Sequence, residues 1–169
     1  MYKVSLIIVL FFTIACSNQK SQVDKTPLSL EARVMDRADM IAKTAEDSVY
    51  RLIEDLEIAT GSQIAVLTID TLNGEEINDF SIRMAERMRL GREKHLDGVL
   101  FTFSRKDKSM RVEVGIGLEK ILKDEVVVRI IQEVIVPKFR EEKYGSGIYL
   151  GVKEVKELIE QNKDLIGQN

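Results

Sequence analysis

The sequence predicts an α/β domain layered on a small mixed β-sheet. Three observations carry that expectation. Helical and strand-like periodicities alternate along the chain, the pattern of layered α/β domains. Gln63 to Ile69 is a short, nearly unbroken apolar run with β-branched residues, as expected of an interior strand covered on both faces. Gly98 to Phe103 and Met110 to Val114 are two strand-like runs joined by the polar segment Ser104-Arg-Lys-Asp-Lys108, which reads as a hairpin.

Each element follows from local signals. Thr44-Ala-Glu-Asp47 resembles a capping box, with Asp in place of the usual Glu, and Val49, Leu52, Ile53 and Leu56 follow at helical spacing. That helix is expected to end at Thr60-Gly61, where the buried strand begins. A turn at Asn73-Gly74 leads into a second helix with Ile77, Phe80, Met84 and Met88 on one face. After the hairpin, Asp124 heads a helix carrying Val127, Ile130, Ile131 and Val134, expected to stop near Pro137. Ile148, Val152, Val155 and Ile159 mark a final amphipathic helix. The predicted order is helix, strand, helix, strand, strand, helix, helix.

Topology restricts which polar residues can meet. A strand-helix-strand unit makes 63–69 and 98–103 parallel, and the hairpin then brings the start of the second strand beside the end of the third. Asp97 sits at that start. Gly115-Ile-Gly-Leu-Glu119 sits at that end, and Asp124 heads the helix that follows. Asp97, Glu119 and Asp124 are therefore expected to converge. Alternation places Met110, Val112 and Val114 on one face of the strand and Arg111 and Glu113 on the other.

The N-terminus points to export. Lys3 precedes an apolar run from Val4 to Ala15, shorter than the roughly 20 residues a membrane-spanning helix needs and matching the core of a secretory signal. The only cysteine, Cys16, follows the small Ala15, where a bacterial lipoprotein signal places the residue that is lipidated and becomes the new N-terminus. Thr13 stands where Leu is usual. The expected organisation is a signal peptide at 1–15, a polar flexible tether at 16–28, a folded domain at 29–163 and a short tail at 164–169. The expected location is the cell envelope, with the chain anchored to a membrane by its lipid. A lone cysteine excludes an internal disulfide.

Removing residues 1–15 takes away Lys3 and no acid, so the formal charge moves from −3 to −4. That balance argues against a nucleic-acid binder, whose affinity rests on a basic face. The length left is that of one domain with a sizeable core.

Several dispersed motifs together resemble the TPM domain family. They are Asp97-Gly98-Val99-Leu100, Lys108 to Glu119 with its Arg-Val-Glu-Val-Gly-Ile-Gly-Leu-Glu sequence, and Leu122 to Asp124. Val34-x-Asp36-x-Ala38, Thr60 to Ile64, Arg129-Ile-Ile131, Val136-Pro137-x-Phe139-Arg140 and Tyr144-Gly145-x-Gly147-Ile148 extend the likeness over about residues 31–159. Two departures stand out. Ile116 replaces the aromatic often found between the two glycines, and Leu96-Asp97 replaces the common Asp-Asn before Gly98.

The resemblance implies a three-layer α/β/α sandwich, commonly tethered at or secreted across a membrane. It also implies divalent-cation binding, Ca²⁺ first and Mg²⁺ second, through acidic loop residues, here Asp97, Glu119 and Asp124. Ca²⁺ takes six to eight oxygens from carboxylates and carbonyls, and a glycine-containing loop can present both. Other readings of the same residues remain open. Asp124 can be a helix N-cap, Gly115 and Gly117 can serve backbone conformation alone, and Asp36 can fix the loop that carries it.

Two functions follow as expectations. One is a lipid-anchored accessory module that engages another envelope protein. The other is a weak metal-dependent acid phosphatase, an activity credited to a plant member of the family. For catalysis His95, the single histidine, has no partner by spacing, and Arg105, Lys106 and Lys108 lie at the far end of the hairpin from the acidic group.

Overall fold

The computed structural model describes residues 33–168. The signal segment, Cys16 and the tether lie outside the described residues. The elements are β1 (Val34–Asp36), α1 (Lys43–Thr60), β2 (Gln63–Ile69), α2 (Ile77–Met88), β3 (Gly98–Ser104), β4 (Ser109–Val114), α3 (Asp124–Arg129), α4 (Val136–Arg140) and α5 (Tyr144–Gln161). One four-stranded sheet runs in the order β1-β2-β3-β4. β1, β2 and β3 are parallel, with Gln63 opposite Gly98, while β4 is antiparallel to β3, with Val99 opposite Val114.

The α/β class, the parallel pair and the hairpin are as expected, and the layers number three. On one face Val66, Val99, Phe101, Phe103 and Val112 pack against Val49, Ile53 and Leu56 of α1 and Ile148, Val152, Val155 and Ile159 of α5. On the other face Ala65, Leu67, Ile69 and Leu100 pack against Met84, Phe80 and Met88 of α2. Six of the seven β2 residues are buried, which explains why the segment is apolar at successive positions rather than at alternate ones. Phe103, Phe139 and Tyr144 form an aromatic chain, with ring centres 5.2 and 5.1 Å apart, that ties β3 to α4 and α5.

Four local expectations need correction. β1 is an additional strand, three residues long, and a Val-Met-Asp run of that length shows no alternation. α1 begins after Ala42, whose backbone is extended and whose side chain caps nothing, so Thr44 lies inside the first turn. There the Thr44 carbonyl accepts the Ser48 hydroxyl, and Lys43 pairs with Glu46 and Asp47. Asp124 is the first helical residue of α3 rather than its N-cap, which is Lys123.

The helix begun by α3 also does not stop at Pro137. Ile130–Ile135 widens into a π-helical turn, with the Val136 amide donating to the Ile131 carbonyl, and α4 resumes through Pro137 to Arg140. The wider turn places proline at the start of α4, where its missing N–H and fixed φ cost least.

Candidate functional site

The sheet has two ends. At the amino end β1, β2 and β3 begin and β4 finishes, so Asp97, Gly115 to Glu119 and Asp124 belong there. At the carboxyl end stand the loops after β1 and β2 and the turn of the hairpin.

Asp97 lies at the amino end and is fully buried. Its Oδ1 accepts the Arg92 backbone N–H at 2.8 Å. Its Oδ2 accepts Arg92 Nε at 2.9 Å, Arg92 Nη2 at 2.5 Å and the Ser62 hydroxyl at 3.1 Å. The guanidinium neutralises the carboxylate and occupies its lone pairs, the arrangement a buried charge requires. Arg92 reaches this position across Gly61, whose φ of +79° ends α1 in the left-handed region and where a Cβ would lie 2.4 Å from Arg92 Nη1.

Glycines bring the neighbouring backbones together. A Cβ on Gly117 would lie 1.7 Å from the His95 carbonyl oxygen, and one on Gly115 would lie 2.2 Å from that of Leu96. The Gly117 amide donates to the Leu96 carbonyl at 3.0 Å and the Gly115 amide to the Gly98 carbonyl at 2.8 Å. The turn after β4 is thus clasped to the segment leading into β3 with no room for a side chain between them. The C-terminus joins the same clasp: the Gly167 amide donates to the Gly117 carbonyl at 2.9 Å, and Ile166 packs against the core. Ile166 and Gly167 are therefore held against the domain.

Glu119 and Asp124 are exposed, and no hydrogen bond or ion pair to either carboxylate is present among the described residues. The expected convergence of Asp97, Glu119 and Asp124 is not what the fold builds. Among the described residues no three of His, Cys, Asp and Glu form a group able to hold a metal ion. Asp97 fits such a role poorly on its own chemistry, since both its oxygens are engaged by Arg92 and Ser62. Asp36 is similarly occupied: its oxygens accept the Met40 amide at 3.0 Å, the Ile41 amide at 2.8 Å and the Thr68 hydroxyl, fixing the entrance to α1. Sequence reasoning missed Arg92 and Ser62 because neither stands at a motif spacing from Asp97. The only available sign was a cation five positions upstream of a carboxylate otherwise destined for burial.

The carboxyl end carries a second polar network. Asp107 Oδ2 accepts the Leu72 amide at 2.7 Å and the Ser104 hydroxyl, and Oδ1 accepts the Thr71 hydroxyl at 3.2 Å. The Ser104 hydroxyl first and the Leu72 amide second hold the Asp107 carboxyl below its usual range. Asp70 pairs with Arg105 and Lys106, and the Lys106 hydrogen bond lowers its carboxyl most. Arg105 and Lys106 are therefore already matched by a carboxylate.

With this geometry in place, comparison with known proteins settles the family. The model of the TPM domain, named TPM phosphatase, matches residues 34–158. The chain belongs to the TPM domain family. Among solved structures this TPM domain is similar to the N-terminal domain of a protein from P. gingivalis, at 26% identity and a TM-score of 0.74, covering 81% of this chain and 88% of that one. It also shares its fold with BA42 from the psychrophilic bacterium Bizionia argentinensis (17% identity, TM-score 0.64, 73% and 84% coverage). The N-terminal domain of cg2496 from Corynebacterium glutamicum has that fold as well (9% identity, TM-score 0.60, 79% and 83%). No curated protein matches the chain. No helix among the described residues is long and apolar enough to cross a membrane.

Proposed function

We propose that this TPM-domain protein is exported, lipidated at Cys16 and held at a membrane of the cell envelope, where the domain serves as an accessory module for another envelope protein. The single observation that favours a binding module over a catalyst is the state of Asp97. The most motif-rich segment of the chain begins with a carboxylate neutralised by Arg92, and its glycines are consumed in backbone contacts. Such a segment makes the domain rigid, which suits a module that docks without rearranging.

The phosphatase reading carried by the family model's name needs groups that polarise phosphate and activate water. No contact of Asp97, Glu119, Asp124 or the exposed His95 favours that role here. Divalent-cation binding through the three carboxylates is set aside for the same geometric reason.

Fractionation tests the proposal. Wild-type protein is expected with the membranes and Cys16→Ser in the soluble fraction. The wild type, cross-linked in intact cells and purified, is expected to carry a specific envelope protein that the soluble variant does not. Membrane association unchanged by Cys16→Ser would remove the lipid anchor from the account.

A further inference from the structure

The large apolar side chains that stay exposed are not spread evenly. Of the six among the described residues, Ile58, Leu96, Ile116 and Leu165 gather at the amino end of the sheet, at 80%, 47%, 54% and 37% exposure. Ile58 lies in the last turn of α1, which runs back to that end before β2 begins. Leu96 directly precedes Asp97 and β3, and Ile116 follows Gly115, the residue after β4. Leu165 lies in the turn Lys163–Leu165, beside the Gly167 amide that donates to Gly117. The other two, Ile82 and Val128, sit on α2 and α3. The carboxyl end carries Arg37, Asp39, Asp70, Arg105 and Lys106 around its loops, while at the amino end the apolar four stand among exposed charges that include Lys94, Glu119, Lys120 and Asp124.

Leu96 is held in place rather than left loose. Its φ is +52°, a conformation bulky residues rarely adopt, and its carbonyl is fixed by the Gly117 amide. Such a conformation persists only where its surroundings over-determine it. Here the clasp joins the two backbone segments that carry the exposed Leu96 and Ile116. A concentration of exposed apolar side chains at one pole is the mark of a contact surface.

We infer that this amino-end patch rests on the lipid bilayer to which Cys16 tethers the chain, an inference that depends on the lipid-anchored reading above. The connection argues for the bilayer as occupant. Val34 begins β1 only 18 positions after Cys16, and a parallel β1 enters the sheet from the amino end. The anchor is thus joined to the domain at its amino end, through 17 intervening residues. The apolar pole therefore stays within reach of the surface that holds the anchor. The charged carboxyl end faces away, toward solvent and partners.

The lipidated full-length protein, carrying an environment-sensitive fluorophore at Ile116→Cys, tests this on vesicles of phosphatidylethanolamine and phosphatidylglycerol. Lys106→Cys at the opposite pole is the comparison, and Leu96→Cys gives a second label at the patch. Flotation with the vesicles reports the anchor, and quenching by lipids bearing a nitroxide in the acyl chain reports the patch. The expected result is flotation of all three, with quenching several-fold stronger at positions 116 and 96 than at 106. Flotation with equal quenching at both poles overturns the inference and leaves the anchor standing. Labels at 116 and 96 shielded from iodide yet untouched by the lipid quencher mark a second copy of the chain on the patch, and also overturn it. Failure to float removes the anchor and the inference together.

Discussion

Arg92 closes over Asp97 at the amino end of the sheet, giving a fully buried carboxylate three hydrogen bonds from one residue, two from the guanidinium and one from the backbone. The pair joins the loop before β3 to Ser62 at the start of β2. It converts an expected ligand into an internal support. Breaking a buried pair from one side costs more than the pair contributes, because the remaining charge stays buried without compensation.

Arg92→Ala is therefore expected to destabilise the domain by about 3 kcal/mol, the lower part of the range for such pairs, since the Arg92 side chain is 37% exposed. Removing the charge as well, in Arg92→Ala with Asp97→Asn, is expected to recover part of the loss. Urea denaturation of the two single variants and the double variant measures this coupling. A double variant whose loss equals the sum of the single losses would contradict it.

Gly117 is expected to tolerate no side chain. Its Cβ would meet backbone, the His95 carbonyl oxygen at 1.7 Å, so relief requires movement of the whole clasp. Gly117→Ala is expected to cost about 2–3 kcal/mol, within the range for overpacking. Gly147→Ala is expected to cost less, because there the nearest atom belongs to the Phe139 side chain at 2.9 Å, which can shift. Thermal unfolding of the two variants sets the order, and an equal loss in both would count against the clasp.

The hairpin turn carries a pH dependence of definite sign. The Asp107 carboxyl is lowered from its ordinary 3.8 by the Ser104 hydroxyl and then the Leu72 amide. A group lowered in the folded state adds stability above its unfolded value and loses it as pH falls through the folded one. The turn is expected to hold at pH 5 and to loosen only at acid pH below the usual aspartate range. Carboxyl NMR titration reads this, and Ser104→Ala is expected to bring the midpoint up toward the ordinary value. A midpoint unmoved by that substitution would leave the hydroxyl without its assigned role.

Much of the fold was legible in the sequence because its signals are periodic. β2, α2 and α5 announce themselves by apolar spacing, and Gly61 and Asn73-Gly74 by the positive φ their turns need. β1 was hidden because three residues carry no period. The passage through Pro137 was hidden because a π-helical turn, which here packs Ile135 against Gly151 of α5, carries no period of its own. At the site, the pairing of strands correctly placed Asp97 beside the turn after β4. It did not reveal that Arg92, five residues upstream in a loop without pattern, folds back onto the carboxylate, nor that Glu119 and Asp124 stand out in solvent. Side-chain direction in loops is decided by contacts distant in sequence, and residue spacing does not carry it.

The central claim, that the segment from Asp97 to Asp124 is a structural clasp, is tested most directly by titrating Ca²⁺ into ¹⁵N-labelled protein made without its first 15 residues and with Cys16→Ser, following backbone amides by NMR. The account predicts that Arg92, Asp97, Gly98 and Gly117 do not move as the ion is raised to millimolar concentration. Saturable shifts at those four amides, abolished by Asp97→Asn in a folded variant, would show that the carboxylate leaves Arg92 for the ion and would contradict it.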